Sequence, residues 1–360
     1  MTLPAIALLG RKDEPTDAVE EYCRYLSEAL QCHDIRLEMR RVPWESRGWS
    51  EALRGLRLQA ANWRGTWVLV QYTALAWSRR GFPLKFLGVL KTLKSAGARI
   101  AIVFHDVEPY PGGRMIDSFR RAMQIRTMRR ALGFADLAVF TVPPDKISWC
   151  QQPQPNVTFI PVGPNLPVAS QAPIRGEHDA VPTVGVFSIT GGRTGAHETE
   201  TIVHCARHVA EKLGPLRLSV FGRHAELRER DLRNSLRAVP VEVSVEGVVS
   251  PEKVVERLAA CDVLLFVRGG ISSRRSSAIA GIACGVPVIA YTGAETAPPI
   301  TEAGVVLVDP RVPEELSNAL IRVLSDGDLR ASLRQRNTAI YAEYLSWPAI
   351  AKRFAALLQR

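Results

Sequence analysis

Two adjacent arginines, Arg274 and Arg275, stand among four serines, Ser272, Ser273, Ser276 and Ser277, between two apolar segments. Hydroxyls and guanidinium groups both donate hydrogen bonds, so this run is suited to holding an anion. Its flanks sharpen the reading. Val263–Val267 has the composition of a buried strand, Ala278–Cys284 that of a small-residue helix, and Val286–Tyr291 that of a second buried strand. These make a βαβ unit whose loop lies at a strand's C-terminal end and a helix's N-terminus. Backbone N–H groups and the helix dipole favour negative charge there. An ordinary solvated loop would carry the same residues.

A second polar set lies nearer the start. His105 closes an apolar run in VFHDVEP, with Asp106 and Glu108 just beyond it. The C-terminal edge of a parallel sheet is where sites in open α/β folds form. A strand-end histidine bonded to backbone, or carboxylates capping the next turn, would explain the same residues. The loop RKDEPTD ends the first strand in the same way, offering Lys12 and Asp13 to a ligand. Asp17 is placed to cap a helix whose apolar face is Val19, Tyr22, Cys23, Leu26, Ala29 and Leu30.

The elements that must position these groups alternate regularly. Strands are expected at Ala5–Leu9, Ile35–Val42, Thr66–Gln71, Arg99–His105, Leu137–Val142 and Thr158–Pro161. A second series covers Thr183–Phe187, Arg217–Phe221, Val241–Val245, Val263–Val267, Val286–Tyr291 and Val305–Leu307. Helical segments lie between them, including Glu198–Leu213 and Pro251–Ala260, with closing helices near Pro313–Leu324, Leu329–Tyr344 and Trp347–Gln359. Such alternation implies parallel sheets covered on both faces. The expected organisation is an α/β domain over 1–165, a proline-rich linker over 166–182, a second over 183–344, and a closing segment over 345–360. The two doubly wound, Rossmann-like domains are expected to face each other across a cleft.

Charge is unevenly shared. Residues 77–130 hold 12 basic and 3 acidic residues, a surplus of nine that nearly equals the formal net charge of +10. A basic face suits an anionic partner, or simply keeps a protein soluble. The segment WSRRGFPLKFLGVLKTLKSAG (77–97) mixes aromatics with cations as a helix lying on an anionic membrane would; a helix packed on the sheet would show the same pattern. RRAMQIRTMRR (120–130) adds further cations. No nucleic-acid-binding motif accompanies them, so nucleic acid is not expected. The six scattered cysteines show no zinc spacing and suit a reducing cytoplasm. The start has no basic signal-peptide region, and no run approaches the roughly 18 apolar residues of a spanning helix. Dinucleotide, Walker, HExxH and Ser-His-Asp patterns are not found.

Several segments, in order, resemble the retaining glycosyltransferases of the GT-B fold, in particular the large family 4. They are YCRYLSEAL (22–30), VFHD (103–106), FIPVGPN (159–165), SVFGR (219–223), VEGVVSPEKVVERLAACDVLLF (245–266), CGVPVIAYTGAETAPPITEAGVVLVDP (284–310) and EYLSWPAIAKRF (343–354). The resemblance implies an N-terminal acceptor domain, a C-terminal nucleotide-sugar donor domain and a last helix returning to the first. It also implies metal-independent transfer, with no cofactor beyond the donor. By the same resemblance His105 contacts the reacting sugar, and Gly222, Gly247 and Val248 join the donor site. Lys12, Asp13, Asp17 and Asp106 would serve the acceptor.

The chain also departs from that pattern. The two glutamates the family usually carries fall on Ser272 and Ala280, and its usual Arg and Lys fall on Ile189 and Thr194. In SITGGRTG (188–195), Gly191 and Gly192 would let amides approach a diphosphate, and Arg193 lies one place before the expected cation. The developing charge on a departing nucleoside diphosphate then falls to Arg193 with Arg274 or Arg275, helped by Ser272–Ser277. The function expected is transfer of a sugar from a nucleoside-diphosphate sugar to a hydroxyl of a glycan or lipid-linked acceptor, with retention, in the cytoplasm or on the inner face of the cell membrane. A degenerate scaffold subunit, or a nucleotide-sugar epimerase of the same fold, are the alternatives.

Overall fold

The computed structural model describes residues 2–110, 112–150, 154–168, 181–312 and 314–360. The chain divides into two compact units: unit 1 is Met1–Val162 with Trp347–Arg360, and unit 2 is Gly163–Ser346. Residues 163–168, placed by the sequence in the first domain and linker, group with unit 2. Of the expected linker, residues 169–180 lie outside the described residues.

Unit 1 runs β1 (Leu3–Leu9), α1 (Ala18–Leu30), β2 (Ile35–Arg41), α2 (Trp44–Arg47), α3 (Trp49–Ala60) and β3 (Trp67–Tyr72). It continues with α4 (Phe86–Ser95), β4 (Arg99–Phe104), α5 (Met115–Leu132), β5 (Leu137–Phe140) and β6 (Val157–Phe159). The sheet order is β2-β1-β3-β4-β5-β6, and every pairing is parallel. All six residues of β3 are buried, as a strand covered on both faces requires. The order reverses between β1 and β3, so the crevice of this unit is expected at their C-terminal ends.

Two helices show how local sequence sets position. Asp17 caps α1: its carboxylate accepts from the N–H groups of Val19 and Glu20, both at 3.1 Å. Tyr22, Cys23, Leu26 and Leu30 then face the core. In α4, Phe86, Val89, Leu90 and Leu93 are fully buried, and Trp77 is buried with its indole N–H donating to the Gln71 carbonyl at 2.8 Å. The aromatics of segment 77–97 therefore belong largely to the core, as the sheet-packed alternative for this segment requires. Exposed apolar side chains occur instead at the start of α5: Met115, Ile116 and Phe119.

Unit 2 runs β7 (Thr183–Phe187), α6 (Gly192–Leu213), β8 (Leu216–Phe221), α7 (Glu229–Leu236), β9 (Val241–Glu246), α8 (Pro251–Ala259), β10 (Val263–Phe266), α9 (Ser276–Ala283) and β11 (Val288–Tyr291). It ends with β12 (Val305–Val308), α10 (Glu315–Ser325) and α11 (Gly327–Ile340), the last passing into a π-turn at Tyr341–Leu345. The sheet order β12-β11-β10-β7-β8-β9 is again wholly parallel. Its reversal lies between β7 and β10, which makes their C-terminal ends the crevice of unit 2. The final helix, α12 (Trp347–Leu358), belongs to unit 1. Trp347 stacks on Tyr25 with ring centroids 5.6 Å apart, and the Trp67 indole N–H donates to the Leu358 carbonyl at 2.8 Å.

Candidate functional site

Each crevice carries a cluster of polar side chains. In unit 1 a pocket of about 200 Å³ is lined by Arg11, Asp13, Asp17, Gln71, Thr73, Asp106 and Tyr110, among others. The loop after β1 is drawn in by the Arg11 N–H, which donates to the Ala76 carbonyl at 2.8 Å. Three of the four carboxylate or lysine positions expected for an acceptor, Asp13, Asp17 and Asp106, thus share one cavity. Lys12 is exposed and does not line it.

Asp17 has little capacity left for a ligand. Besides capping α1, its second oxygen accepts from Arg41 Nη2 at 3.2 Å and from the Asp13 N–H at 3.4 Å. Asp106 accepts from the Ala74 N–H at 3.0 Å. Glu108 is bound to Ser148 and is part of a turn.

His105 follows β4 and is held from two sides. Its Nε2 lies 2.8 Å from Gln71 Oε1, and its ring meets Tyr22 edge-on at 4.8 Å. The Gln71 amide NH₂ donates to the Leu69 carbonyl, so Gln71 Oε1 is the acceptor and His105 Nε2 carries the proton. Burial lowers the His105 pKa to about 4, with the Asp17 charge opposing weakly. The imidazole is therefore neutral near pH 7. It is a hydrogen-bonding group rather than a cation. Gln71 was not singled out from the sequence; its signal was a lone amide within the apolar strand WVLVQY.

In unit 2 the crevice is cationic. After β7 the chain passes through Ser188, whose φ is +67°, and its N–H donates to the Phe221 carbonyl at 2.8 Å. Thr190 follows, with its N–H donating to buried Glu198 Oε2 at 2.7 Å. Gly191 is the N-cap of α6, and Gly192 opens the helix with φ +65°. The expected loop SITGGRTG is thus half helix. A Cβ at Gly195 would sit 1.7 Å from the Thr190 carbonyl oxygen, so only glycine lets the helix turn so close to the strand. Gly222, with φ +94°, gives β8 a similar exit beside Ser188. Gly247 follows β9 and bonds through its carbonyl to the Gly222 N–H at 3.0 Å, while Val248 is half-exposed.

The arginines expected to hold an anion are placed differently from one another. Arg193 is exposed in the first turn of α6. Arg274 makes a two-pronged pair with Glu295, at 2.7 and 2.9 Å, and Ser272 Oγ joins the same carboxylate at 3.1 Å. Its charge is already matched by a loop residue 21 positions on. Arg275 stands at the N-cap of α9, while Ser272, Ser273 and Ser277 are buried and Ser276 begins the helix. Ala280 is fully buried within α9. A glutamate could not stand there without burying its charge.

The sequence reading missed Arg268. It leaves β10 beside the crevice, with Nε 3.5 Å from Thr190 Oγ1 and Nη1 3.5 Å from Ser277 Oγ. Burial lowers its pKa; Glu198 opposes that shift and Arg223 adds to it. Neither α6 nor α9 has a side-chain cap, an arrangement that suits an anion at a helix start, though the Ala278 N–H of α9 donates to the Arg275 carbonyl at 3.0 Å. Among the described residues no group of three or more His, Cys, Asp or Glu is disposed to hold a metal ion.

The chain has counterparts among known proteins. Residues 189–326, which include the whole cationic crevice, match the model of a family described as Glycosyl transferases group 1. Among solved structures, HepE of Anabaena, crystallised with UDP and glucose, aligns over 99% of both chains with a TM-score of 0.64 and 15% identity. Sucrose-phosphate synthase of Thermosynechococcus elongatus aligns over 99% of this chain and 98% of its own, with a TM-score of 0.72 and 15% identity. The fold is GT-B. A glycosyltransferase of Rickettsia africae shares this GT-B architecture with a TM-score of 0.67 at 10% identity, over 99% of this chain and 98% of that one. Among curated protein sequences none matches. Within the GT-B frame, the two sheet reversals are the places where each unit presents its polar groups.

Proposed function

We propose that the chain is a family 4-like glycosyltransferase. It moves a sugar from a nucleoside-diphosphate sugar to a hydroxyl of a glycan or lipid-linked acceptor, retaining the anomeric configuration and using no metal. The observation that carries this reading is the cationic, uncapped crevice of unit 2, which lies inside the residues that match the glycosyltransferase family. A departing nucleoside diphosphate develops negative charge, and preorganised guanidinium and amide donors meet that demand without rearrangement. HepE, a structural neighbour, was crystallised with UDP and with UDP-glucose. Attack on the same face as the leaving group needs no protein nucleophile. The pocket of unit 1, rich in carboxylate and amide acceptors, suits the hydroxyls of a neutral polyol.

The acceptor is proposed to be met at an anionic membrane surface, on its cytoplasmic side. Gln124, Thr127, Met128 and Ala131 turn one face of α5 inward. The opposite face carries Met115, 91% exposed, and Phe119, 59% exposed, followed by exposed Arg126, Arg129 and Arg130. Apolar tips with cations behind them match acyl chains below phosphate headgroups. No described helix is long and apolar enough to cross a membrane.

The test is release of nucleoside diphosphate from a panel of UDP-, GDP-, ADP- and TDP-sugars, with lipid-linked and free glycans as acceptors. Turnover with one donor supports the reading. A folded protein that binds none of the nucleotides would instead be the scaffold subunit, a role consistent with Ser272 and Ala280 replacing the expected carboxylates.

A further inference from the structure

Arg268 sits at the reversal of the second sheet, where β7 and β10 diverge and where doubly wound folds place their ligands. Its surroundings are incomplete for a guanidinium. Five N–H donors are available, yet its two side-chain contacts are hydroxyls at the 3.5 Å limit of hydrogen bonding. Among the described residues no carboxylate lies within ion-pairing distance of it. Glu198 is close enough to favour the charged form, but one of its oxygens is engaged by the Thr190 N–H. Arg223 contributes a second positive charge to the same space. A half-buried cation left in this condition is costly unless something negative completes it.

The two hydroxyls that Arg268 touches also have direction. Thr190 immediately precedes the N-terminal turn of α6, and Ser277 lies in the first turn of α9. The side chain therefore bridges two helix starts, both without a side-chain cap. An anion beside it would meet a planar fork of donors together with two sets of backbone amides. Two phosphoryl groups, each with its own non-bridging oxygens, fit that arrangement better than one.

We infer that Arg268 binds the diphosphate of the donor. This rests on the glycosyltransferase reading and adds to it the residue that senses the leaving group. The paired Arg274 and the solvent-facing Arg193 are then secondary: one is matched by Glu295, and the other contributes long-range charge at the rim.

Calorimetric titration of the full chain with UDP, GDP, ADP and TDP, and with the parent nucleosides, tests the assignment. Wild type is expected to bind one of the diphosphates. Arg268→Gln is expected to weaken that diphosphate about 50-fold while changing nucleoside binding less than threefold. Arg268→Lys, which keeps the charge but loses the fork, is expected to recover part of the loss. Equal affinity of Arg268→Gln and wild type for the diphosphate would overturn the assignment. So would equal weakening of nucleoside and diphosphate, or a fall in melting temperature without ligand that Arg268→Lys shares, because either marks a purely structural arginine. Wild type that binds no nucleoside diphosphate would sink the glycosyltransferase reading itself, an outcome visible before any variant is made.

Discussion

The two sheet reversals are built on the same plan and carry opposite charge. In unit 1 the first helix after the reversal begins with Asp17, whose carboxylate already occupies the anion position at the N-terminus of α1. In unit 2 the equivalent helix, α6, begins with Gly191 and Gly192 and is filled by no side chain. Unit 1 has thus supplied its own anion, whereas unit 2 leaves the place open and adds Arg268. On the proposed function, one frame would then serve neutral hydroxyls in one unit and phosphate in the other, by a change of cap.

That contrast can be broken from either side. The largest effect is expected from Gly195→Ala, because the added carbon would collide with the Thr190 carbonyl. Overpacking against backbone should cost unit 2 at least about 3 kcal/mol. Urea unfolding should show the loss in unit 2, with hydrogen exchange in unit 1 unchanged. Asp17→Ala should cost unit 1 about 2 kcal/mol, combining a lost cap with a lost partner for Arg41. If the comparison holds, the emptied N-terminus of α1 should then bind inorganic phosphate weakly, seen as a phosphate-dependent rise in melting temperature that wild type lacks.

A smaller effect concerns pH. His105 is neutral in the native chain down to about pH 4, while the unfolded chain takes up a proton near pH 6.5. The contribution is therefore present above pH 6.5 and lost as pH falls toward 4. The full shift corresponds to about 3 kcal/mol, and partial solvent access to the ring brings it nearer 1–2 kcal/mol. Denaturant midpoints at pH 7, 5.5 and 4 should show wild type losing that much relative to His105→Gln. Smallest in stability terms is Met115→Ser with Phe119→Ser on the outer face of α5. The pair should leave the melting temperature within about 1 °C, since surface changes usually cost little, but reduce sedimentation with phosphatidylserine vesicles about tenfold.

The alternation of apolar runs made both sheets legible, because fully covered parallel strands read as continuous apolar segments. Their ends were less so: β11 begins at Val288 rather than Val286, whose N–H instead bonds the Gly281 carbonyl. The nature of α4 could not be read in advance, since a core helix and a membrane-lying helix share an apolar stripe and lysines. Only the burial of Phe86 and Leu90 separates them. The pairing of Arg274 was not legible because its partner Glu295 comes from a distant loop. Arg268 escaped notice for the complementary reason: a single arginine after an apolar run has no local pattern, and its meaning comes from Thr190, 78 residues earlier.

The return of α12 to unit 1 bears on how the chain is made. Unit 2 is one continuous stretch, Gly163–Ser346, and can complete itself while synthesis is still under way. Most of unit 1 precedes unit 2 in the chain yet must wait, because Trp347 and the Leu358 carbonyl that receives the Trp67 indole are translated only after unit 2. Unit 1 is thus closed only once unit 2 has been made, and until then the surfaces of Tyr22 and Tyr25 that Trp347 covers stay open.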